Sequence, residues 1–462
     1  MKVFMILIIL VFGIKLNIFS QVQFTSHIVT MNAGNVEEIY AEDIDGDDDL
    51  DIVAALFVTN EICWYENDGN GIFTEHLLST EADGPRSVYA FDIDSDLDMD
   101  VLSVSLRDDE VAWFENDGNE NFTHHIIATN ANQGTSVFAI DLDEDGDADV
   151  LATSQFNDRF FWYENDGNQN FTSHTISSNV NGPQSVFAID LDGDTDIDVL
   201  TASLIDAKIA WFENDGDENF TEHVISTEAN LALQVFAIDI DKDGDEDVLS
   251  ASASGDKIAW YENDGNENFT THIITTDADY AYSVYAIDID EDTDIDVISA
   301  SREDNKIAWY ENDGNENFTT HIISTDAVKA VCVLAGDVDG DTDIDIISAS
   351  ALDGEINWYE NLRIVSVETI SNEIPHNFEL SQNYPNPFNP STKINFSIPE
   401  ASFVLLKIYN SLGKEIETLV AENLSAGKYN YNWDAKSYTS GIYFYKLQTN
   451  SFIETKKMTL LK

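Results

Sequence analysis

The sequence predicts an all-β chain: a seven-bladed β-propeller followed by a small Ig-like β-sandwich. Three observations carry that expectation. A unit of 49 residues recurs seven times without insertion or deletion, each copy divides into four short strand-like runs, and the repeat stops near Ile364, where a new strand pattern begins. Four short strands per unit, at a spacing of roughly 40–50 residues, mark a propeller blade.

Residues 1–20 read as a secretory signal. Lys2 supplies the positive start, an apolar run follows from Val3, and cleavage is expected near Ser20 and Gln21. The competing reading is a transmembrane anchor, but Lys15 breaks the run before it is long enough to cross a bilayer. No Cys follows the cleavage region to take a lipid anchor.

Residues 21–363 are the expected propeller. The tryptophans of a W-[YF]-E-N motif are Trp64, Trp113, Trp162, Trp211, Trp260, Trp309 and Trp358; the histidines of an F-T-x-H motif are His27, His76, His125, His174, His223, His272 and His321. In the fourth full copy, strand A is Ser185 to Ile189, B is Asp198 to Ser203, C is Ile209 to Glu213 and D is Phe220 to Ser226, with an N-D-G turn between C and D. The first copy opens on a lone strand D and the last ends after a strand C, so both chain ends are expected to complete one blade. That closure leaves no unpaired edge.

Between strands A and B every odd position of a nine-residue run is Asp in all seven copies. Position 1 is Asp43, Asp92, Asp141, Asp190, Asp239, Asp288 or Asp337, and position 3 is Asp45, Asp94, Asp143, Asp192, Asp241, Asp290 or Asp339. Position 5 is Asp47, Asp96, Asp145, Asp194, Asp243, Asp292 or Asp341, and position 9 is Asp51, Asp100, Asp149, Asp198, Asp247, Asp296 or Asp345. Calcium takes six to eight oxygens in flexible geometry, and closely spaced carboxylates supply them, with position 7 expected to add a backbone carbonyl; magnesium demands a stricter octahedron. Alternating Asp along the solvated face of a strand is the other reading, but Asp is depleted in strands and stacked like charges repel.

These runs resemble those of the FG-GAP/VCBS repeat family, whose propeller blades also occur in integrin α subunits; D-L-D-G-D-T-D-I-D-V-L is one example. The resemblance covers Phe24 to Asn361 and implies a metal in each A–B loop. Up to seven structural Ca2+ ions are therefore expected. Position 6, usually Gly in that family, is Gly only at Gly146 and Gly244; elsewhere it is Asp48, Leu97, Thr195, Thr293 or Thr342. If that position needs positive φ, the sites should differ in affinity, with the Leu97 loop weakest.

Charge fits a cation-loaded propeller. The formal net charge is −67, and all of the acidic excess lies before His376, since the residues from there on sum to about +2. A nucleic-acid partner is excluded, because phosphates need a basic footprint. Self-repulsion on this scale calls for neutralising cations. The two cysteines, Cys63 and Cys332, sit at non-equivalent repeat positions and are expected to be unpaired buried thiols. The seven tryptophans read as interblade core in preference to sugar-stacking platforms. The histidines, one per blade, read as hydrogen-bonded structural groups. The N-F-T recurrences at Asn121, Asn170, Asn219, Asn268 and Asn317 match a glycosylation sequon by coincidence of turn and strand.

Residues 364–377 are expected as a linker and 378–462 as the sandwich. Q-N-Y-P-N-P-F-N-P-S-T-K-I, I-Y-N-S-L-G-K, A-G-K-Y-N-Y-N-W-D, S-G-I-Y-F-Y-K-L and the terminal K-K-M-T-L-L-K follow in order. This stretch looks like the type A sorting domain of the type IX secretion system. The resemblance implies export across the outer membrane of a Gram-negative bacterium, a secreted or cell-surface location and contact with the secretion machinery.

In an up-and-down blade the A–B and C–D loops share one face and the B–C and D–A loops the other. The first set is nearly constant here, and the second varies. Variable loops on a rigid scaffold suit recognition, and most basic residues of the repeat fall there. Arg86, Arg107, Arg159, Arg302 and Lys329 are the candidate ligand-face residues. A calcium-binding adhesion module for a glycan or surface protein is the first functional expectation, as a monomer without a transmembrane anchor. No catalytic residue is assigned, because near-identical blades lack a singular centre and no G-x-S-x-G or H-E-x-x-H motif occurs. The alternative is an exported polysaccharide lyase or glycan hydrolase, for which the nearest singular cluster is Arg302, Glu303 and Asp304 with Tyr280 and Tyr282. A structural spacer in a surface layer is the third reading.

Overall fold

The computed structural model describes residues 22–362, 368–371, 375–411, 413–436, 438–449 and 451–462. The expected signal segment, 1–20, lies outside the described residues. Among the described residues there is no helix, so the chain is all-β. One compact unit spans Phe24–Asn361, and a second includes Leu362–Lys462.

Four-stranded antiparallel sheets fill the first unit, in a pattern consistent with a repeat β-propeller. A representative sheet runs Pro183–Ile189, Asp198–Ser203, Lys208–Asn214 and Phe220–Ser226, paired in chain order. Every residue of Asp198–Ser203 is buried, because both faces of that strand pack against neighbouring sheets. D-V-L-T-A-S therefore reads as an unbroken apolar and small run. The outer strand Phe220–Ser226 has no fully buried residue and exposes Thr221 and Val224, since one face meets water.

Neighbouring sheets share cores. Trp64, Val53 and Ile62 pack with Val88, Val101 and Phe114 of the next sheet, and Trp211 and Leu200 with Val235 and Tyr261 further on. The first and last sheets are joined likewise: Ile39, Ile52 and Tyr65 share one cluster with Ile347, Ile356 and Trp358. The strand Gln23–Thr30 lies beside Glu355–Leu362 in the last sheet, and Asn67 Nδ2 donates to the Val338 carbonyl at 2.7 Å. Cys63 and Cys332 are both buried free thiols.

In the second unit two four-stranded sheets enclose a core that includes Leu380, Ile394, Val404, Leu406, Trp433, Tyr445 and Met458. The linker expectation needs correcting here. Glu368–Ser371, inside the expected 364–377, forms an edge strand paired with Gly427–Asp434. V-S-V-E-T-I-S alternates like a strand, and the open edge supplies its hydrogen-bond partners.

Candidate functional site

Each aspartate run folds into a loop that turns its carboxylates inward. The position-1 carboxylate accepts the backbone N–H of position 6 in all seven copies, at 2.9–3.1 Å. That bond requires a left-handed position 6, where φ runs from 70° at Asp48 to 98° at Gly146 and Gly244, with Leu97 at 79°. Position 4 is left-handed as well, as at Gly46, Ser95 and Lys242, a feature the sequence reading passed over. The position-5 carboxylate accepts from the N–H of position 7, as Asp145 does from Asp147 at 3.0 Å.

Position 9 does more than the sequence suggested. Asp149 is 0 % exposed. Its Oδ1 accepts the Asn165 N–H at 2.8 Å and its Oδ2 the Leu142 N–H at 3.2 Å. The same two bonds recur in every copy, from Asp51 through Asp345. Position 9 thus clamps the loop to the start of the strand C–D turn.

Carboxylate oxygens converge. Within Asp43/Asp45/Asp51, Asp92/Asp94/Asp96, Asp141/Asp143/Asp149, Asp190/Asp192/Asp194 and Asp239/Asp241/Asp247 one oxygen from each residue lies within 4.8 Å of the others. Oδ1 of Asp94, Asp141, Asp239 and Asp288 is buried without a hydrogen-bond partner. Burial pushes the Asp149 carboxyl up to about 7 and that of Asp296 up to about 8. Burial, then the neighbouring Asp47, raises Asp45 to about 6. Orphaned, desolvated, mutually repelling carboxylates could hold a hard metal cation bound through oxygen.

The C–D turn completes the same end of each sheet. A Cβ on Gly118 would stand 2.4 Å from Asp98 Oδ2, and φ is +69° there, so only glycine fits beside the position-7 carboxylate. Beside this end each His stacks on the Trp of the adjacent strand, with centroids 4.4–4.8 Å apart. Its Nε2 meets the Glu of W-[YF]-E-N, as in His125–Glu115 at 2.7 Å. The histidines are structural partners, and the tryptophans are buried, Trp211 at 1 % exposure.

The opposite end carries the variable loops. The candidate ligand-face residues do not form one cluster. Arg107 lies over the Phe57 ring at 4.2 Å and donates to Asn60 Oδ1 at 2.8 Å. Arg159 is exposed, and Lys329 pairs with Glu303 at 2.5 Å. Arg86 and Arg302 meet at Tyr282: Arg86 Nη2 donates to its hydroxyl at 3.0 Å, and Arg302 sits 5.3 Å from its ring centroid. Glu303 is thus paired with Lys329, and Asp304 with Lys306 at 2.8 Å.

One group of residues escaped the sequence reading. At the position of Ser87, third in Pro85–Phe91, and its equivalents the side chain of one sheet accepts the backbone N–H of the next: Val88 N–H to Glu38, Val137 to Ser87, Val186 to Ser136, Val235 to Ser185, Val284 to Gln234 and Val333 to Ser283, at 2.7–3.3 Å. Cys332 Sγ continues the series by donating to the Ile39 carbonyl at 3.6 Å. Two residues on, Tyr40, Tyr89, Phe138, Phe187, Phe236 and Tyr285 pack ring to ring, 4.4–5.2 Å apart.

Residues 43–103, 98–152, 141–201, 196–250, 239–299 and 288–348 match the FG-GAP-like repeat model. Residues 382–460 match that of the secretion system C-terminal sorting domain. No curated protein matches the chain. Among solved structures, a Lactobacillus plantarum protein is 12% identical, with a TM-score of 0.49, over 81% of this chain and 96% of its own. A functionally unknown protein from Desulfotomaculum acetoxidans is 11% identical, with a TM-score of 0.46, over 69% and 90%. PorZ, a surface component of the type IX secretion system of Porphyromonas gingivalis, is 14% identical, with a TM-score of 0.43, over 89% and 58%.

Proposed function

The chain belongs to the FG-GAP-like repeat family and ends in a secretion system C-terminal sorting domain, and from that premise we propose a calcium-loaded, seven-bladed propeller that binds a glycan or surface protein outside the cell. The sorting domain indicates export to the cell surface or secretion, through the type IX machinery. In this reading residues 21–363 are the propeller and 378–462 an Ig-like sandwich that serves export.

Positions 1, 3, 5 and 9 of each aspartate loop hold the ion, which joins strands A and B to the C–D turn. It is structural, since protein carboxylates surround it. One observation carries the metal: the buried oxygens of Asp94, Asp141, Asp239 and Asp288 have no hydrogen-bond partner, although every loop N–H described above has found one. A carboxylate so placed costs free energy unless a cation meets it.

Recognition falls to the opposite face. Its loops vary while the aspartate loops stay constant, and it carries exposed apolar tips at Val58, Phe156, Ile205 and Leu352. Binding stands ahead of catalysis because Glu303 and Asp304 of the nearest singular cluster are held by lysines. The test is binding to an oligosaccharide and surface-protein panel with and without chelator, beside a lyase and hydrolase assay on the same sugars. Chelator-sensitive binding without product supports the reading; turnover of any member replaces it with the enzymatic one.

A further inference from the structure

Most buried positions of the repeat keep one residue type or a close substitute, but a position at or just before the start of strand A does not. The residue just ahead of the hydrogen-bonding ring described above is Glu37, Arg86, Thr135, Gln184, Leu233, Tyr282 or Val331, different in all seven copies. All seven line one cavity, together with Glu38, Gln234, Ser136, Ser185 and Ser283. A position that only had to fill space in a repeat would repeat. Here each sheet places a distinct chemical group at one point.

We propose that this cavity is a binding site for the end of a neutral, hydroxyl-rich glycan chain. The inference rests on the reading of the variable face as the recognition face, and it gives that face a site and a ligand class.

Chemistry selects the ligand. The lining mixes carboxylate, guanidinium, hydroxyl and amide groups, which donate and accept in alternation, as a ring of sugar hydroxyls requires. A cation is disfavoured because the Arg86 guanidinium already lies in the lining, 3.6 Å from Glu37 and 3.0 Å from the Tyr282 hydroxyl. An anion is disfavoured twice, by the two carboxylates inside and by the formal charge of −67 around them. Burial also raises the Glu38 carboxyl to about 7, which brings the cavity closer to neutral. The cavity is open to solvent and has room for a few waters, each needing about 10–15 Å3, so sugar hydroxyls or a hydroxymethyl group can replace them bond for bond.

The test uses the full chain in calcium and titrates cello-, xylo-, manno- and laminari-oligosaccharides of equal length against oligogalacturonate. Glu37→Gln and Gln184→Ala each change one polar group, Thr135→Trp fills the cavity, and Glu75→Ala is the control on an exposed outer-strand side chain outside the lining. The expected result is measurable affinity for at least one neutral series and weaker or no affinity for the uronate. Kd should rise about tenfold or more in the three cavity variants and stay unchanged in the control. Thermal unfolding checks that each variant is folded. Binding that survives Thr135→Trp overturns the site while leaving a recognition face elsewhere on these loops. Preference for the uronate overturns the ligand class. No binding by the wild-type chain to any sugar overturns both this inference and the glycan half of the proposed function.

Discussion

Asp149→Asn and Asp145→Asn, both in one aspartate loop, separate what the fold needs from what the ion needs. Asp149 is wholly buried and accepts two backbone N–H groups, at 2.8 Å and 3.2 Å. An asparagine keeps one acceptor and turns an NH2 toward the other N–H. One charge-assisted bond is lost and one buried donor is left unmet, a cost of about 2–4 kcal/mol. Asp145 is exposed and accepts only the Asp147 N–H, at 3.0 Å. An amide oxygen can keep that bond, so without metal the change should stay within about 0.5 kcal/mol. In calcium at a hundred times Kd, loss of the site removes about 2.7 kcal/mol more from either variant. Urea unfolding in chelator and in calcium reads both numbers. Equal losses under the two conditions, or an Asp145→Asn effect in chelator as large as that of Asp149→Asn, would refute the division of labour.

Four further outcomes are expected. Leu97→Gly relieves a side chain that is 88 % exposed at φ 79°, so it should leave stability level or raise it by up to about 1 kcal/mol and tighten the weakest calcium site, seen by calorimetric titration. Gly118→Ala sets a Cβ 2.4 Å from Asp98 Oδ2 and should cost about 2–3 kcal/mol in the same unfolding assay. Asn67→Ala leaves the Val338 carbonyl without its 2.7 Å donor where the first and last sheets meet, and should lower the midpoint of thermal unfolding. Glu38 has a folded pKa raised by burial from 4.5 to about 7, so the fold holds its proton more tightly than the unfolded chain does. Its contribution is therefore full below about pH 4.5 and is lost as pH rises through 7. Glu38→Gln, which copies the bond that Gln234 makes at 2.7 Å, should stabilise the chain by about 3 kcal/mol at pH 8 and leave it unchanged at pH 4.

Much of this was legible in the residues because the repeat has no insertions. Asp198–Ser203 and Phe220–Ser226 fall where alternation and N-D-G punctuation place them. The left-handed position 6 followed from the family's usual glycine, and Leu97 does take that conformation. What the sequence concealed depends on register between strands. Trp113 faces His125 across the C–D hairpin, and that pairing brings Glu115 to the imidazole, although both motifs were in plain view. The clamp made by position 9 was hidden because a carboxylate that accepts two N–H groups has the same letter as one that ligates metal. The seven-way difference from Glu37 to Val331 was visible, but its meaning appears only when seven separate sheets bring those residues to one cavity. Glu368–Ser371 was misread because an isolated four-residue strand carries too little pattern to stand apart from a linker.

The most direct measurement is the mass of the intact chain by native mass spectrometry, before and after exhaustive chelation, paired with thermal unfolding of both samples. Bound calcium approaching one ion per aspartate loop, removed by chelator together with a large drop in unfolding temperature, is the predicted result. A chain that carries no calcium in millimolar excess of the ion and unfolds at the same temperature in chelator would contradict the account at its base.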